Sequence, residues 1–154
     1  MGQATTQVPM ACGKLEISTD SCSTWTDISG EAQSVSGTEQ TRMSGEAYTL
    51  TGDTALVAGG KKEPMELVFA IVYTEDDDDA YELVREHFET TGCGGDFCAR
   101  WSPRGGEAGH ERITTGEGIL VNFTYPPMDA SAGGPIMGGF TLKVGSVSTA
   151  IIAS

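Results

Sequence analysis

The stretch from Pro64 to Tyr73 constrains the fold more than any other part of the chain. Met65, Leu67, Phe69, Ile71 and Tyr73 recur at every second position, and Val68, Ala70 and Val72 fill the places between them. A period of two belongs to a β-strand, whose side chains alternate between two faces. Beyond Glu66 both faces are apolar, which predicts a central strand with a neighbour on either side. The rest of the chain must therefore supply a sheet.

Enough candidates exist to do so. Lys14–Ser18 alternates, with Leu15 and Ile17 on one face, and Trp25 and Ile28 mark a second short strand. Ala47–Leu50 and Thr54–Val57 flank Gly52-Asp53, a tight-turn sequence, after which Gly59-Gly60 is predicted to break the chain. Phe97–Trp101, Glu111–Thr115, Gly118–Tyr125 and Phe140–Val147 complete the set, separated by the Pro- and Gly-rich turns Ser102–Gly109 and Pro126–Gly134. One segment has the other period. Ala80, Leu83, Val84, His87 and Phe88 fall at i, i+3, i+4, i+7 and i+8, a single helical stripe over about 79–90. The carboxylates of Glu75-Asp-Asp-Asp-Asp79 sit at the positive end of its dipole, where one can cap it. Gly92, Gly94 and Gly95 stop it.

Residues 31–45 are different. Ser, Thr, Gln and Gly dominate, and Val35 and Met43 alone are large and apolar. Such a stretch builds no core by itself, and a structureless loop of this length is unusual inside a compact domain. It is predicted to form extended strands in a long polar hairpin, about 31–57, with partners on another chain. The expected fold is mainly β: a sandwich or barrel of antiparallel strands with one flanking α-helix. Residues 1–11 are expected to be a flexible arm and 12–154 a single β domain, a size that supports its own core without a metal or disulfides.

Charge excludes some functions. With 9 Lys and Arg against 22 Asp and Glu, the net charge is −13. A chain so acidic does not grip nucleic acid or anionic lipid over its whole surface. No run approaches the roughly 18 apolar residues of a membrane helix. Met1–Ala11 lacks the regions of a secretory signal. Gly2 and Thr6 fit a myristoylation pattern, read here as a chance match in a polar arm that lacks a second, polybasic signal.

No catalytic constellation emerges. There is no nucleophile elbow, and no serine or cysteine stands in a motif that pairs it with a base. Lys61-Lys62 follows Gly59-Gly60, but residue 55 is alanine where a phosphate loop has its first glycine. Gly116-Glu-Gly118 is no dinucleotide fingerprint, and the sequon Asn122-Phe-Thr124 lies within a strand. Asp76–Asp79 is contiguous, whereas a calcium loop alternates its ligands around a glycine, so helix capping and a solvated face explain it better. His87 belongs to the helical stripe and His110 to an exposed turn. Nothing selects a pair of carboxylates for acid–base work. The expected cofactor set is empty, and the chain reads as no enzyme.

Cys12, Cys22, Cys93 and Cys98 are candidate disulfide partners. Four cysteines allow three connectivities, of which Cys93–Cys98 is the local one. Free buried or turn thiols, usual in a cytosolic protein, are the reading the residues favour, ahead of disulfides. The gaps are poor for zinc, and Cys93-Gly-Gly-Asp-Phe-Cys98 lacks redox spacing.

In order, the segments resemble the tail tube proteins (major tail proteins) of long-tailed bacteriophages. Trp25-Thr-Asp-Ile-Ser-Gly30 leads into the polar hairpin region. Gly52-Asp-Thr-Ala-Leu-Val-Ala-Gly-Gly60 precedes the strand Glu63-Pro-Met-Glu-Leu-Val-Phe-Ala-Ile-Val-Tyr73. The acidic helix start, Arg100-Trp-Ser-Pro103, Pro126–Pro135 and a strand ending in Gly145-Ser-Val follow. The likeness covers roughly residues 12–150 as an order of elements. It implies a β-sandwich with a flanking helix and six copies closed into a ring through inter-subunit sheet pairing. Rings would stack into a hollow tube in the virion tail, assembled in the host cytoplasm. Its partners would be further copies and other tail proteins, with hairpin and arm joining ring to ring. DNA would pass through the lumen without specific binding, and no membrane is involved. The four cysteines are not part of that pattern. An oxidising exterior gives them a use as locks, Cys12 or Cys22 reaching a neighbouring copy. The alternative reading is a virion decoration or adhesion module that builds no tube.

Overall fold

The computed structural model describes residues 2–92 and 95–153. Among the described residues, after a single 3-10 turn at Met10–Cys12, eleven strands and one α-helix follow in chain order: β1 (Lys14–Ser18), β2 (Thr26–Asp27), β3 (Ala32–Ser36), β4 (Arg42–Ala47), β5 (Leu56–Lys62), β6 (Met65–Val72), α1 (Ala80–Thr90), β7 (Cys98–Ser102), β8 (Glu111–Thr115), β9 (Ile119–Thr124), β10 (Met137–Val144) and β11 (Val147–Ile151). They make a β-sandwich with a flanking helix. One sheet has the order β11-β8-β7-β1-β2, the other β3-β6-β10-β9, and β4 and β5 pair apart from both. All these pairings are antiparallel.

The core lies between the two main sheets. Met65, Leu67, Phe69 and Ile71 of β6 face it, in register with Val144, Leu142, Phe140 and Gly138 of β10. Phe69 stacks on Phe140 with centroids 4.5 Å apart, and Phe97 meets Phe140 edge-on at 5.5 Å. From the other sheet come Leu15, Ile17 and Ala99. As expected, β6 is interior to its sheet, flanked by β3 and β10. Its second face is not covered, however: Val68 is 46% exposed. The apolar residues there reflect β-propensity as much as burial.

Helix α1 packs where its stripe predicts, with a wider buried arc. Ala80, Tyr81 and Val84 are buried. Tyr81 lies outside the i, i+3, i+4 stripe. It is buried because it fits between Tyr73 (4.7 Å) and Phe123 (5.3 Å). Gly138 leaves room for it, since a Cβ there would stand 3.1 Å from the Tyr81 ring. Asp79 takes the N-cap place, but its side chain makes no capping hydrogen bond. It sits beside Glu31 instead. Burial first, and Asp79 second, raise the Glu31 pKa.

The polar region corrects the expectation in two ways. Ala32–Ser36 does not wait for another chain: β3 pairs with β6 of its own chain. Backbone hydrogen bonding asks no apolar side chains of it, and Val35 alone sits opposite Phe69. The hairpin itself runs later than 31–57, from Arg42 to Lys62, and Gly59-Gly60 lies inside β5 rather than breaking it. Between β3 and the hairpin, Gly37 has φ +73, and a Cβ there would collide with the Glu66 carbonyl. Gly37→Ala should therefore lose about 1–3 kcal/mol, read as a lowered urea midpoint. An unchanged midpoint would show that the turn is free to shift. The last expected strand also divides: β10 ends at Val144 and β11 begins at Val147, pairing with β8.

Candidate assembly interface

Among the described residues, three surfaces stand out for lacking partners, besides the β11 and β2 edges of the five-stranded sheet. The first is the β4–β5 hairpin, every strand residue of which is exposed. Met43, Tyr48, Leu50, Leu56 and Val57 are 56%, 79%, 108%, 62% and 75% exposed. A two-stranded hairpin alone in water is marginal, and an apolar one needs a covering surface. Its base is closed by a 2.7 Å bond from the Glu63 N–H to the Thr41 carbonyl. Gln40 anchors it further, its Nε2 donating to the carbonyls of Glu63 (3.1 Å) and Gly145 (2.8 Å).

The second is the four-stranded sheet's pair of edges. β3 and β9 each have one strand neighbour in the sheet order, with a bridge from Phe97 to Gly118 just before β9. An open edge is a template for pairing with another chain. Beside β3 runs a groove of about 600 Å³, lined by Leu15, Val35, Trp101 and arm residues Val8–Ala11.

The third is the outward face of that sheet. Ser36, Val68, Thr141 and Asn122 lie on it by register. Its charges are Glu66 and Lys143, directly opposed, with Nζ 3.8 Å from the carboxylate. The face is close to neutral although the chain is strongly acidic. The run Asp76–Asp79 sits apart from it, in the turn before α1, with Asp76, Asp77 and Asp78 exposed.

The cysteines are distributed otherwise than by proximity in sequence. Cys22, in the loop after β1, is joined to Cys98 of β7, across 76 positions and with Cα atoms 5.5 Å apart. Cys98 is thereby not the partner of Cys93, which lies outside the described residues. Nor does Cys22 reach a neighbouring copy. Cys12 is free and exposed. Cys98 and Arg100 share a face of β7. Arg100 forks onto Glu16 of β1 at 3.1 and 3.0 Å and lies 4.3 Å from the Trp25 ring centroid. Glu16 is 8% exposed. Arg100→Ala leaves that carboxylate only Lys14, 4.0 Å away, and should lower stability by about 2–3 kcal/mol. Arg100→Ala with Glu16→Gln should recover part of the loss in chemical denaturation; a double variant no better than the single one would refute the pairing.

The loop between β1 and β2 is tied by Asp20. Its carboxylate accepts the Thr24 N–H at 2.8 Å and the Ser18 hydroxyl at 2.7 Å. These bonds, the Thr24 backbone first, lower its pKa from 3.8 to about 2. The sign follows: a depressed carboxylate stabilises the fold above 3.8, and its contribution fades as pH falls toward about 2. Asp20→Asn should flatten stability across that window in acid-titrated melting curves. An identical acid profile would remove Asp20 from the balance.

The remaining expected site residues do not converge. His87 Nε2 is 3.3 Å from Asp96 Oδ1 beside the Phe97 ring, and His110 is 3.7 Å from Glu107 in the β7–β8 turn. Among the described residues no three of His, Cys, Asp or Glu are grouped to hold a metal ion. No helix of the described residues is long and apolar enough to cross a membrane.

No protein-family model matches the chain, and no curated protein sequence is similar to it. Solved structures share its fold. One is a chain of an extracellular contractile injection system, the PVC sheath-tube complex in the extended state. It has 14% identity and a TM-score of 0.73, covering 96% of this chain and 94% of that one. Another belongs to the anti-feeding prophage cap, described as a tube terminating cap, at 11% identity and a TM-score of 0.70, over 98% and 95%. A third comes from the anti-feeding prophage baseplate, at 9% identity and a TM-score of 0.71, over 99% of both chains. The fold of this chain is thus one found in the components of contractile, tail-like assemblies.

Proposed function

We propose that the chain is a structural subunit of a phage tail tube, without catalytic activity, that assembles into stacked hexameric rings. The observation that carries this is the joint presence of two open edges on one sheet and an apolar hairpin exposed on both faces. Pairing the β3 edge of one copy with the β9 edge of the next is a heterologous contact, which closes into a ring when the rotation allows. The hairpin and residues 1–11 then remain to join one ring to the next, with 12–154 as the body. Likeness to chains of tube, cap and baseplate assemblies supports a tail-related role.

A ring closed by that sheet has one face inside. The inner face of the sheet carries the second sheet and α1, which need the larger perimeter and hence the outside. The neutral face with Glu66 and Lys143 then lines the bore. Its ammonium is engaged by a carboxylate, so it offers phosphates no free cation, which favours passage of DNA without retention during infection. Virion tail is the corresponding location, with assembly in the host cytoplasm. Cys12, free and exposed, is the thiol left to bridge neighbouring copies.

Negative-stain electron microscopy over a concentration series tests the reading. Hollow tubes or stacked rings are expected. Monomers alone at every concentration, also in the presence of a tail initiator complex, would favour a decoration or adhesion module. A non-reducing gel of tubes showing monomer only would remove Cys12 bridges.

A further inference from the structure

The loop from Thr19 to Trp25 carries an unusual backbone feature. Ser21 and Cys22 are consecutive, neither is glycine, and both are left-handed, with φ 62 and 65. L residues leave that region when free to do so. What holds them is a set of restraints at both ends of the loop. Asp20 ties the start through Ser18 and Thr24. The Ser21 N–H donates to the Asp96 carbonyl at 3.0 Å. Cys22 is bonded to Cys98, and Trp25 lies on Arg100.

These anchors fall on one face of β7. Cys98 and Arg100 are two residues apart and point the same way, and the loop covers both. Cys98 is fully buried, and the Glu16–Arg100 pair is largely so. Cys22, by contrast, is partly exposed, which makes it the half of the pair nearer to solvent and the side from which a reagent would enter. We propose that Cys22–Cys98 is a redox clasp: oxidised, it pins residues 19–25 across the β1–β7 face; reduced, it lets the loop lift and uncovers Cys98 and the Glu16–Arg100 pair.

The chemistry is thiol–disulfide exchange. A dithiol attacks the Cys22 sulfur, Cys98 leaves as thiolate and takes a proton, and the second thiol of the reagent displaces Cys22. The dithiol ends as a disulfide, and two electrons and two protons have passed to the protein. A low-molecular-weight disulfide reverses every step. A chain in a reducing compartment therefore presents a different β1–β7 face from the same chain outside it.

The test uses the full chain under native conditions. After oxidation with glutathione disulfide, half of the sample is reduced with dithiothreitol. Both halves are pulsed with N-ethylmaleimide and read peptide by peptide. Trp emission and circular dichroism are recorded in parallel. In the reduced half, Cys98 should be modified within about tenfold of its rate in guanidinium, with the fold retained and Trp emission shifted. Cys22→Ser should show the same Cys98 reactivity without reductant. Protection of Cys98 by more than about a hundredfold in reduced, folded protein would overturn the proposal, leaving a loop that stays shut without its bond. Global unfolding on reduction would overturn it too, making the bond a staple of the whole fold. So would free Cys22 and Cys98 thiols after the oxidation.

Discussion

Phe69→Ala should lower the stability of the chain by about 3–5 kcal/mol. The side chain is 1% exposed, stacks on Phe140 at 4.5 Å and stands opposite Val35 on the neighbouring strand. Truncation leaves a cavity under two strands that are fixed by their own ladders, so the site collapses little. Urea unfolding measures the loss, and the outward-facing neighbour supplies the control. Val68→Ala, one position away and 46% exposed, should cost less than about 1 kcal/mol. Equal losses at the two positions would mean that β6 does not present the face described.

Replacing the hairpin with a short Gly-Ser turn should abolish polymerisation while leaving the subunit folded. The geometry permits a clean excision, because Thr41 and Glu63 are already joined at 2.7 Å. No residue from 42 to 62 belongs to the buried core. The shortened chain should melt within a few degrees of the intact one, since surface changes alter stability by about 0.5 kcal/mol or less. Electron microscopy and sedimentation should then show rings or monomers under conditions where the intact protein is proposed to form tubes. Tubes of normal length from the shortened chain would sink the ring-to-ring role of the hairpin. A collapsed melting temperature would show that the hairpin braces the sandwich instead.

What could be read from the sequence follows burial. Met65–Val72 was legible because its inner face must be apolar at every second residue, and α1 because its stripe must be apolar at every third or fourth. The hairpin has no inner face. Its residues pack on nothing within their own chain, so no burial pattern marks them, and β5 holds Gly59-Gly60 and is still a strand. β3 was obscured for a related reason: four of its five residues are Ala, Gln or Ser, and the backbone of β6 holds it. β11, Val-Ser-Thr-Ala-Ile, is mostly exposed and showed little alternation. The Cys22–Cys98 pairing and the stack of Trp25 on Arg100 join segments about 75 positions apart. No local pattern encodes such contacts; they are made by the register of β1 against β7.

That register also sets the order in which the molecule can be built. β1 is among the first strands synthesised, yet its long partner is β7, with Lys14 opposite Ser102. Contacts so distant in sequence make folding slow, because loop closure precedes any return from pairing. The hairpin, whose strands are joined by a short connection, can form early. In the other sheet, β10 lies between β6 and β9 and is made last. Until it arrives, β6 shows an open, apolar edge and β9 has no sheet to belong to. A nascent chain thus lacks the pair of edges through which finished copies would join, and during that interval the bare edge of β6 is open to pairing with a wrong partner.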